Sequence, residues 1–297
     1  MAITVRDYQG DEDYIRIREL LVQIYAIGGA PEDGTIGDLD WWRFTDNDPD
    51  AISTSRLWLK DGDALIGFAW LNGDRVDVMV HPHRHEIEEY IFEWAEEQHN
   101  DTAPGELVTL TAWANVTDEI RNEIFTRRGY KKQDSFLNYR NRSLADPLPE
   151  GPLADGYTIR DMQGDADIES RVAAHRSAFA PSKMTVEKHR AVMQSPTYRV
   201  DLDIVAVAPE GSYAAFCIVW LDEANRLGVF EPVGCHADHQ RRGLSSAVMA
   251  EGMRRARSLG AEVVCVLANG DDIASNRLYE SLGFQLVDRN YEWKKTL

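Results

Sequence analysis

Between Gly228 and Ser246 the chain reads Gly228-Val-Phe-Glu-Pro-Val-Gly-Cys-His-Ala-Asp-His-Gln-Arg-Arg-Gly-Leu-Ser-Ser246. A strand-like run passes into a Gln240-Arg241-Arg242-Gly243 turn, and a helical pattern begins at once. A helix start offers free backbone N–H groups and the positive end of a dipole, which together bind phosphate oxygens. Gly243 lets the backbone approach a phosphate and accepts unusual dihedrals. Arg241 and Arg242 add charge and forked donors, and Arg254, Arg255 and Arg257 follow on the same helix. The competing reading is a basic, solvated helix after an ordinary glycine turn. Two other groups could do chemistry. Cys235 is a thiol, but no His and Asn/Asp pattern supports a cysteine hydrolase, and a small buried strand residue fits as well. His81, His83 and His85 would share one face of a strand and could hold a metal. Pro82 and the helix start at Glu86 argue for a loop, so no metal is expected.

The elements around the turn read as mixed α/β. Tyr157–Met162 predicts a short strand, with Asp165 as a helix N-cap and apolar positions at helical spacing after it. Thr185 starts another short helix, closed by Pro196. Residues 203–208, 213–221 and 226–235 are strand-like. Gly243–Leu259 predicts a helix with Leu244, Ala247, Val248, Met253 and Ala256 on its apolar stripe and Gly260 as its stop. A buried strand at 262–267, a helix at 273–282 closed by Gly283, and final strands from Phe284 to Trp293 complete the half. This order implies a mixed sheet covered by helices.

The chain repeats itself. Thr4-Val-Arg-Asp-Tyr-Gln-Gly-Asp-Glu-Asp13 returns as Thr158-Ile-Arg-Asp-Met-Gln-Gly-Asp-Ala-Asp167, an offset of 154 residues with seven of ten positions identical. The same offset relates Phe125-Thr-Arg-Arg-Gly-Tyr130 to Tyr279-Glu-Ser-Leu-Gly-Phe284. A repeat of this length is a whole domain. The seam is Asp146–Gly156, with three prolines and two glycines, a linker composition. The expected division is a first copy over 1–145, a linker over 146–156 and a second copy over 157–297.

Composition narrows the partners. The 297 residues carry 32 basic and 50 acidic side chains, a net charge of −18. Such a surface repels phosphate backbones, so nucleic acid is not an expected partner. Residues 1–150 hold 15 basic and 30 acidic residues, while 151–297 hold 17 and 20, so an anionic ligand should prefer the second half. No apolar run is long enough to span a membrane. The first thirteen residues lack the pattern of a signal peptide. Three separated cysteines (Cys217, Cys235, Cys265) suggest reduced thiols in a cytoplasmic protein.

These residues carry a family resemblance. Gln240-Arg-Arg-Gly-Leu-Ser245 resembles the acyl-CoA pyrophosphate signature of the GCN5-related N-acetyltransferases (GNAT), Gln/Arg-x-x-Gly-x-Gly/Ala. Asp272-Ile-Ala-Ser-Asn-Arg-Leu-Tyr-Glu-Ser-Leu-Gly-Phe284 resembles the later motif of that family, Asn-x-x-Ala-x-x-Leu-Tyr-x-x-x-Gly-Phe. The likeness covers residues 157–297 directly and the first copy through the repeat. The two-copy plan is similar to that of mycothiol-synthase-like members. It implies two tandem acyl-CoA N-acyltransferase domains with acetyl-CoA as co-substrate and a small-molecule amine as acceptor. Val233, Gly234 and Cys235 match the strand whose backbone N–H meets the thioester oxygen. Gln240, Arg241, Arg242, Gly243, Leu244, Ser245 and Ser246 match the pyrophosphate loop, and Asp272 a position near the pantetheine arm. Ser245 departs from the usual Gly or Ala, and Asp272 from the usual Asn. Tyr279 matches a general acid toward the leaving thiolate, against the alternative of a core tyrosine. Glu231 is the candidate base, against a structural acid paired with an arginine. His236 and His239 compete for that role.

The first copy lacks the Gln-Arg-Arg-Gly turn, starts its helix with Glu86, Glu88 and Glu89, and has Phe125 in place of the tyrosine. It is expected to bind no CoA and to pack against the second copy. Trp41 and Trp42 read first as a core or interface pair, second as a wall for a cationic acceptor. One working site is expected, in the second copy. The rival from another class is a non-catalytic acyl-CoA sensor whose acidic first copy binds a partner. The rivals among enzymes are transfer of a longer acyl group and mycothiol-synthase-type acetylation of a thiol-precursor amine.

Overall fold

The computed structural model describes residues 2–30, 34–46, 50–102, 105 and 107–297. The remaining positions, all within the expected first copy of 1–145, lie outside the described residues. The first half runs β1 (Ile3–Asp7), α1 (Asp11–Gly28), α2 (Ile36–Thr45), β2 (Arg56–Lys60), β3 (Ala64–Asn72), β4 (Arg75–Val80), α3 (Glu88–Asp101), β5 (Thr109–Asn115), α4 (Glu119–Arg128) and β6 (Lys131–Ser143). The second runs β7 (Thr158–Asp161), α5 (Ile168–Ala178), α6 (Val186–Val192), β8 (Asp203–Val207), β9 (Tyr213–Asp222), β10 (Leu227–Cys235), α7 (Leu244–Ser258), β11 (Val263–Asn269), α8 (Ile273–Ser281) and β12 (Gln285–Thr296). The fold is mixed α/β, as the sequence implies.

Several elements keep the 154-residue offset. Strands β5 and β11, and helices α4 and α8, start 154 residues apart. Asp118 and Asp272, also equivalent, both cap their helices by accepting from backbone N–H groups in the first turn. Helix α7 buries Leu244, Ala247, Val248, Met249, Met253 and Ala256, which spans the expected stripe. All ten residues of β9 are buried, as a central strand covered on both faces requires. Asp165 does not cap a helix: residues 164–167 form a 3₁₀ turn, and Asp167 instead accepts from Gln163 N–H and Arg160.

The twelve strands among the described residues form one sheet in the order β1-β2-β3-β4-β5-β12-β6-β11-β10-β9-β8-β7. The segment expected to supply the final strands is one long strand, β12, and it leaves its own half. It pairs antiparallel with β5 from Asn290↔Asn115 to Thr296↔Thr109. Strand β6 does the reverse and pairs with β11 from Val263↔Ser143 to Asn269↔Leu137. Each half is therefore closed by the last strand of the other. Residues between β6 and β7 have no regular structure, but they pack: Leu148, Leu153 and Ala154 lie against the core of the second half. A Cβ on Gly151 (φ +58°) would come 2.5 Å from the Ala250 side chain on α7, so the seam lies flat across that helix.

Candidate active site

Strands β10 and β11 pair in parallel only at Leu227↔Val263, Gly228↔Val264 and Val229↔Cys265. Beyond Val229 they part. On its other side β10 stays on β9, with a register shift between Phe230 and Val233 and pairs Val233↔Cys217, Gly234↔Phe216 and Cys235↔Ala215. A two-residue irregularity at Glu231-Pro232 thus turns the strand where the gap opens. Gly234 has a different reason for being glycine: a Cβ there would sit 2.4 Å from the Phe216 ring.

The gap leads to the start of α7. Arg241 (φ 62°) and Gly243 (φ 75°) adopt left-handed backbone, and no side chain caps the helix. The first amide bonded in the helical manner is that of Ala247, to Gly243 C=O at 3.0 Å. The N–H groups of Leu244, Ser245 and Ser246 precede that pattern and face the turn. Gln240, Arg241, Arg242 and Gly243 are exposed. Among the described residues Arg241 and Arg242 make no ion pair, whereas Arg254 and Arg255 are held by Glu251 at 2.9 and 2.8 Å. A Cβ on Gly243 would meet only Pro152 O, at 3.9 Å, so its constraint is conformational. The Cys235 thiol, raised by burial, lies beside Ser245, which joins the strand end to the helix start.

Tyr279 on α8 is buried among core residues, its ring 6.0 Å from Phe284 at 61°. Burial, and next the charge of Glu231, raise its phenol well above the usual range. It is held protonated within electrostatic reach of Glu231. The helix that carries it is gripped from the first half. Asn138 Nδ2 donates to Asn276 Oδ1 at 2.8 Å, and Arg140 donates to Glu280 at 2.7 Å. Asp272, besides capping α8, accepts from the Ser275 hydroxyl at 2.5 Å.

Glu231 lines a cavity of about 300 Å³ between the halves, with Thr35, Asp38 and Trp42 from α2 and the residue before it, and Asp77, Trp113 and Tyr139 from the first-half strands. Burial, then the negative charge of Asp38, push its carboxyl up to about 8. Among the described residues nothing donates a hydrogen bond to that carboxyl, and it has no ion pair. This sets aside the structural acid paired with an arginine. His239 is engaged elsewhere, with its Nδ1 2.9 Å from Tyr157 Oη, and His236 sits beside it with ring centroids 5.6 Å apart. Neither lines the cavity.

The two tryptophans separate. Trp42 faces the cavity, while Trp41 packs at the junction, 6.0 Å from the His175 ring. Asp38, Trp113, Tyr139 and Asp77 were missed in the sequence. One signal was available: the 154-residue offset equates Asp77 with Glu231, and both face this cavity.

In the first half the corresponding helix start is filled from within. Glu88, fully buried at the first position of α3, accepts from Arg121 Nε at 3.0 Å and lies 2.7 Å from His85 Nδ1. Burial pulls its carboxyl up, but Arg121 and His85 hold it below the usual range; the bond to Glu88 raises His85. A carboxylate of the chain thus sits at the first position of α3, paired with Arg121 and His85, while the N–H groups of Ile87 and Glu88 are taken up by Arg84 C=O and His85 C=O in the turn before it. Glu88→Gln should lower stability by roughly 2–4 kcal/mol, somewhat under the usual effect of breaking a buried pair because Asp118 remains beside Arg121. The Glu88 contribution is present above its ordinary pKa of 4.5 and lost in acid. That of His85 is full below 6.5 and lost as pH rises through its elevated value. Thermal melts across pH should therefore show the largest penalty between those limits and a smaller one in alkali. The His81 and His83 rings lie 5.6 Å apart, tilted by 55°, and among the described residues no group of three or more His, Cys, Asp or Glu could hold a metal. Nor is any described helix long and apolar enough to cross a membrane.

Residues 173–284 match the model of the acetyltransferase (GNAT) family. The chain is 26% identical to a mycothiol acetyltransferase of Paenarthrobacter aurescens over 185 residues, 59% of this chain and 57% of that protein. It is 24% identical to one of Sanguibacter keddieii over 254 residues, 78% of each. The first match thus spans less than two thirds of the relative's length. In structure the chain is similar to a tandem GNAT protein from the clavulanic acid biosynthesis pathway, with a TM-score of 0.70 and 16% identity over 99% of this chain and 98% of that one.

Proposed function

We propose that this chain is a GNAT acetyltransferase that moves an acetyl group from acetyl-CoA to a primary amine of a small molecule, at one site in its C-terminal half. The observation that carries this is the gap opening after Val229 and Cys265. It runs from an unpartnered carboxylate to an uncapped helix start, with a buried tyrosine alongside. In this reading the N–H groups of Leu244–Ser246, Gly243, Gln240 and the guanidinium groups of Arg241 and Arg242 hold the pyrophosphate. Asp272 caps α8 near the pantetheine arm. A backbone N–H among Val233, Gly234 and Cys235 stabilises the thioester oxygen as charge develops. Glu231, directly or through water, takes the amine proton, and Tyr279 protonates the departing thiolate. The acidic inter-half cavity receives the acceptor, so the first half serves by shaping that pocket.

The name shared by the sequence relatives favours a second reading of the acceptor, an amine on a mycothiol precursor. It uses the same residues.

Calorimetric titration with acetyl-CoA should give one site per chain. Two equivalent sites would overturn the single-site reading. Gly243→Val should weaken that site roughly tenfold or more, since a β-branched residue resists left-handed backbone. An unchanged affinity would remove α7 from the pyrophosphate site.

A further inference from the structure

The cavity wall contains polar atoms that the fold leaves unsatisfied. Tyr139 lies on the exchanged strand β6, opposite Leu267 on β11 and Asp288 on β12. It lines the cavity, is 4% exposed, and among the described residues no nitrogen or oxygen pairs with its hydroxyl. The Cys265 thiol beside it is a weak partner at best, and Asp38 lies within electrostatic range. A buried hydroxyl without a partner carries a desolvation cost that phenylalanine would avoid with the same ring. The Asn290 amide oxygen, on the exchanged strand β12, lines the same cavity and is likewise unpartnered.

The cationic groups in this wall are already engaged. Arg75 forks onto Asp77 at 3.0 and 2.7 Å, and Arg121 holds Glu88 and Asp118. What stays open includes the Glu231 carboxyl, the Tyr139 hydroxyl and the Asn290 amide oxygen, and a cationic amine arriving beside Glu231 favours its carboxylate, so that all three oxygens can accept. A ligand that satisfies them must be rich in N–H and O–H donors. One carrying a carboxylate or phosphate would meet Asp38 and Glu231 with no free cation in the described wall.

We infer that the Tyr139 hydroxyl binds the acceptor, taking one N–H of its amine while Glu231 faces another, and that the acceptor is a hydroxyl-bearing amine with no acidic group. This deepens the acetyl-transfer reading and rests on it for the word acceptor; the binding claim stands separately. An ammonium offers three N–H donors, so one oxygen can hold it while a second removes its proton. Tyr139 comes from the first half and Glu231 from the second, so the acceptor is gripped across the seam.

The test uses the full chain, with 2-aminoethanol and glucosamine as probes in calorimetry and in a CoA-release assay with acetyl-CoA. Tyr139→Phe should raise the amine Kd or KM roughly tenfold or more, the usual effect of losing a hydrogen bond to a charged group. The acetyl-CoA Kd should stay the same. The ligand-free variant should melt at the wild-type temperature or above, because the hydroxyl is unpartnered there. A lower melting temperature with unchanged amine affinity marks a structural hydroxyl and overturns the inference. So does a wild type that binds neither amine. Amine binding that weakens in the variant, without acetyl transfer by the wild type, supports the role of Tyr139 and overturns the acetyl-transfer reading instead.

Discussion

Replacing Glu231 with Gln is expected to lower kcat/KM for acetyl transfer by about 10²–10³-fold at pH 7, the range of a well-placed general base. The carboxyl is pushed up to about 8 by burial, with the charge of Asp38 next. In the free protein at neutral pH it is therefore mostly protonated. A cationic amine entering the cavity favours the carboxylate. The wild-type rate should rise with pH through about 8, as base and amine lose their protons. The variant should lack that limb, and its deficit should shrink at high pH, where free amine is abundant. Stability supplies an independent reading. Because the folded-state value lies above the ordinary 4.5, the folded chain holds a proton that the unfolded chain releases. That contribution is full below 4.5 and lost as pH rises through about 8. Glu231→Gln should thus gain in melting temperature relative to wild type as pH is raised. His236→Ala and His239→Ala should leave the pH–rate profile intact. A wild-type profile in Glu231→Gln, with the neutral limb lost in a histidine variant, moves the base to that histidine.

Tyr279→Phe should lower kcat by about 10²-fold while the acetyl-CoA Kd barely changes. The substitution is clean because the fold already contains it. At the equivalent position of the first half, Phe125 is fully buried against Phe92 and Tyr130, each 4.8 Å away between ring centroids. Burial keeps the Tyr279 phenol protonated throughout the working pH range, so it can donate but not accept a proton. Steady-state kinetics beside a binding isotherm decides the matter. An unchanged kcat would leave Tyr279 a packing residue.

The helices and central strands were legible because their signals are local. The apolar stripe of α7, its Gly260 stop, and the unbroken apolar run of β9 each depend on a few neighbouring residues. Lone caps were less secure: Thr185 does cap its helix, whereas Asp165 lost to a 3₁₀ turn organised by Asp167. The strand exchange was not legible. Alternation tells which face of a strand is buried, but not which neighbour it pairs with. β6 and β12 are copies of one element, so either could have closed either half. The cavity depends on that choice. Tyr139 reads as an ordinary strand tyrosine until β6 lies beside β11, and Asp38 as a plain helix residue until α2 roofs the junction. Gly234 was legible as part of its strand, but not the Phe216 ring that leaves no room for a Cβ there.

The exchange of closing strands also orders events in time. Synthesis runs from the N-terminus, and domains generally fold as they emerge. Here the strand that covers β5 spans residues 285–296, at the far end of the chain, and its register joins Thr109 to Thr296. Until that stretch is released, the first half holds an open edge at β5, and β6 waits for β11. Contacts of such sequence separation are slow to form, because a long loop must close before they are rewarded. A ribosome stalled between β11 and β12 would carry a second half already paired with β6 and a first half still open at β5. The half that is made first is completed last.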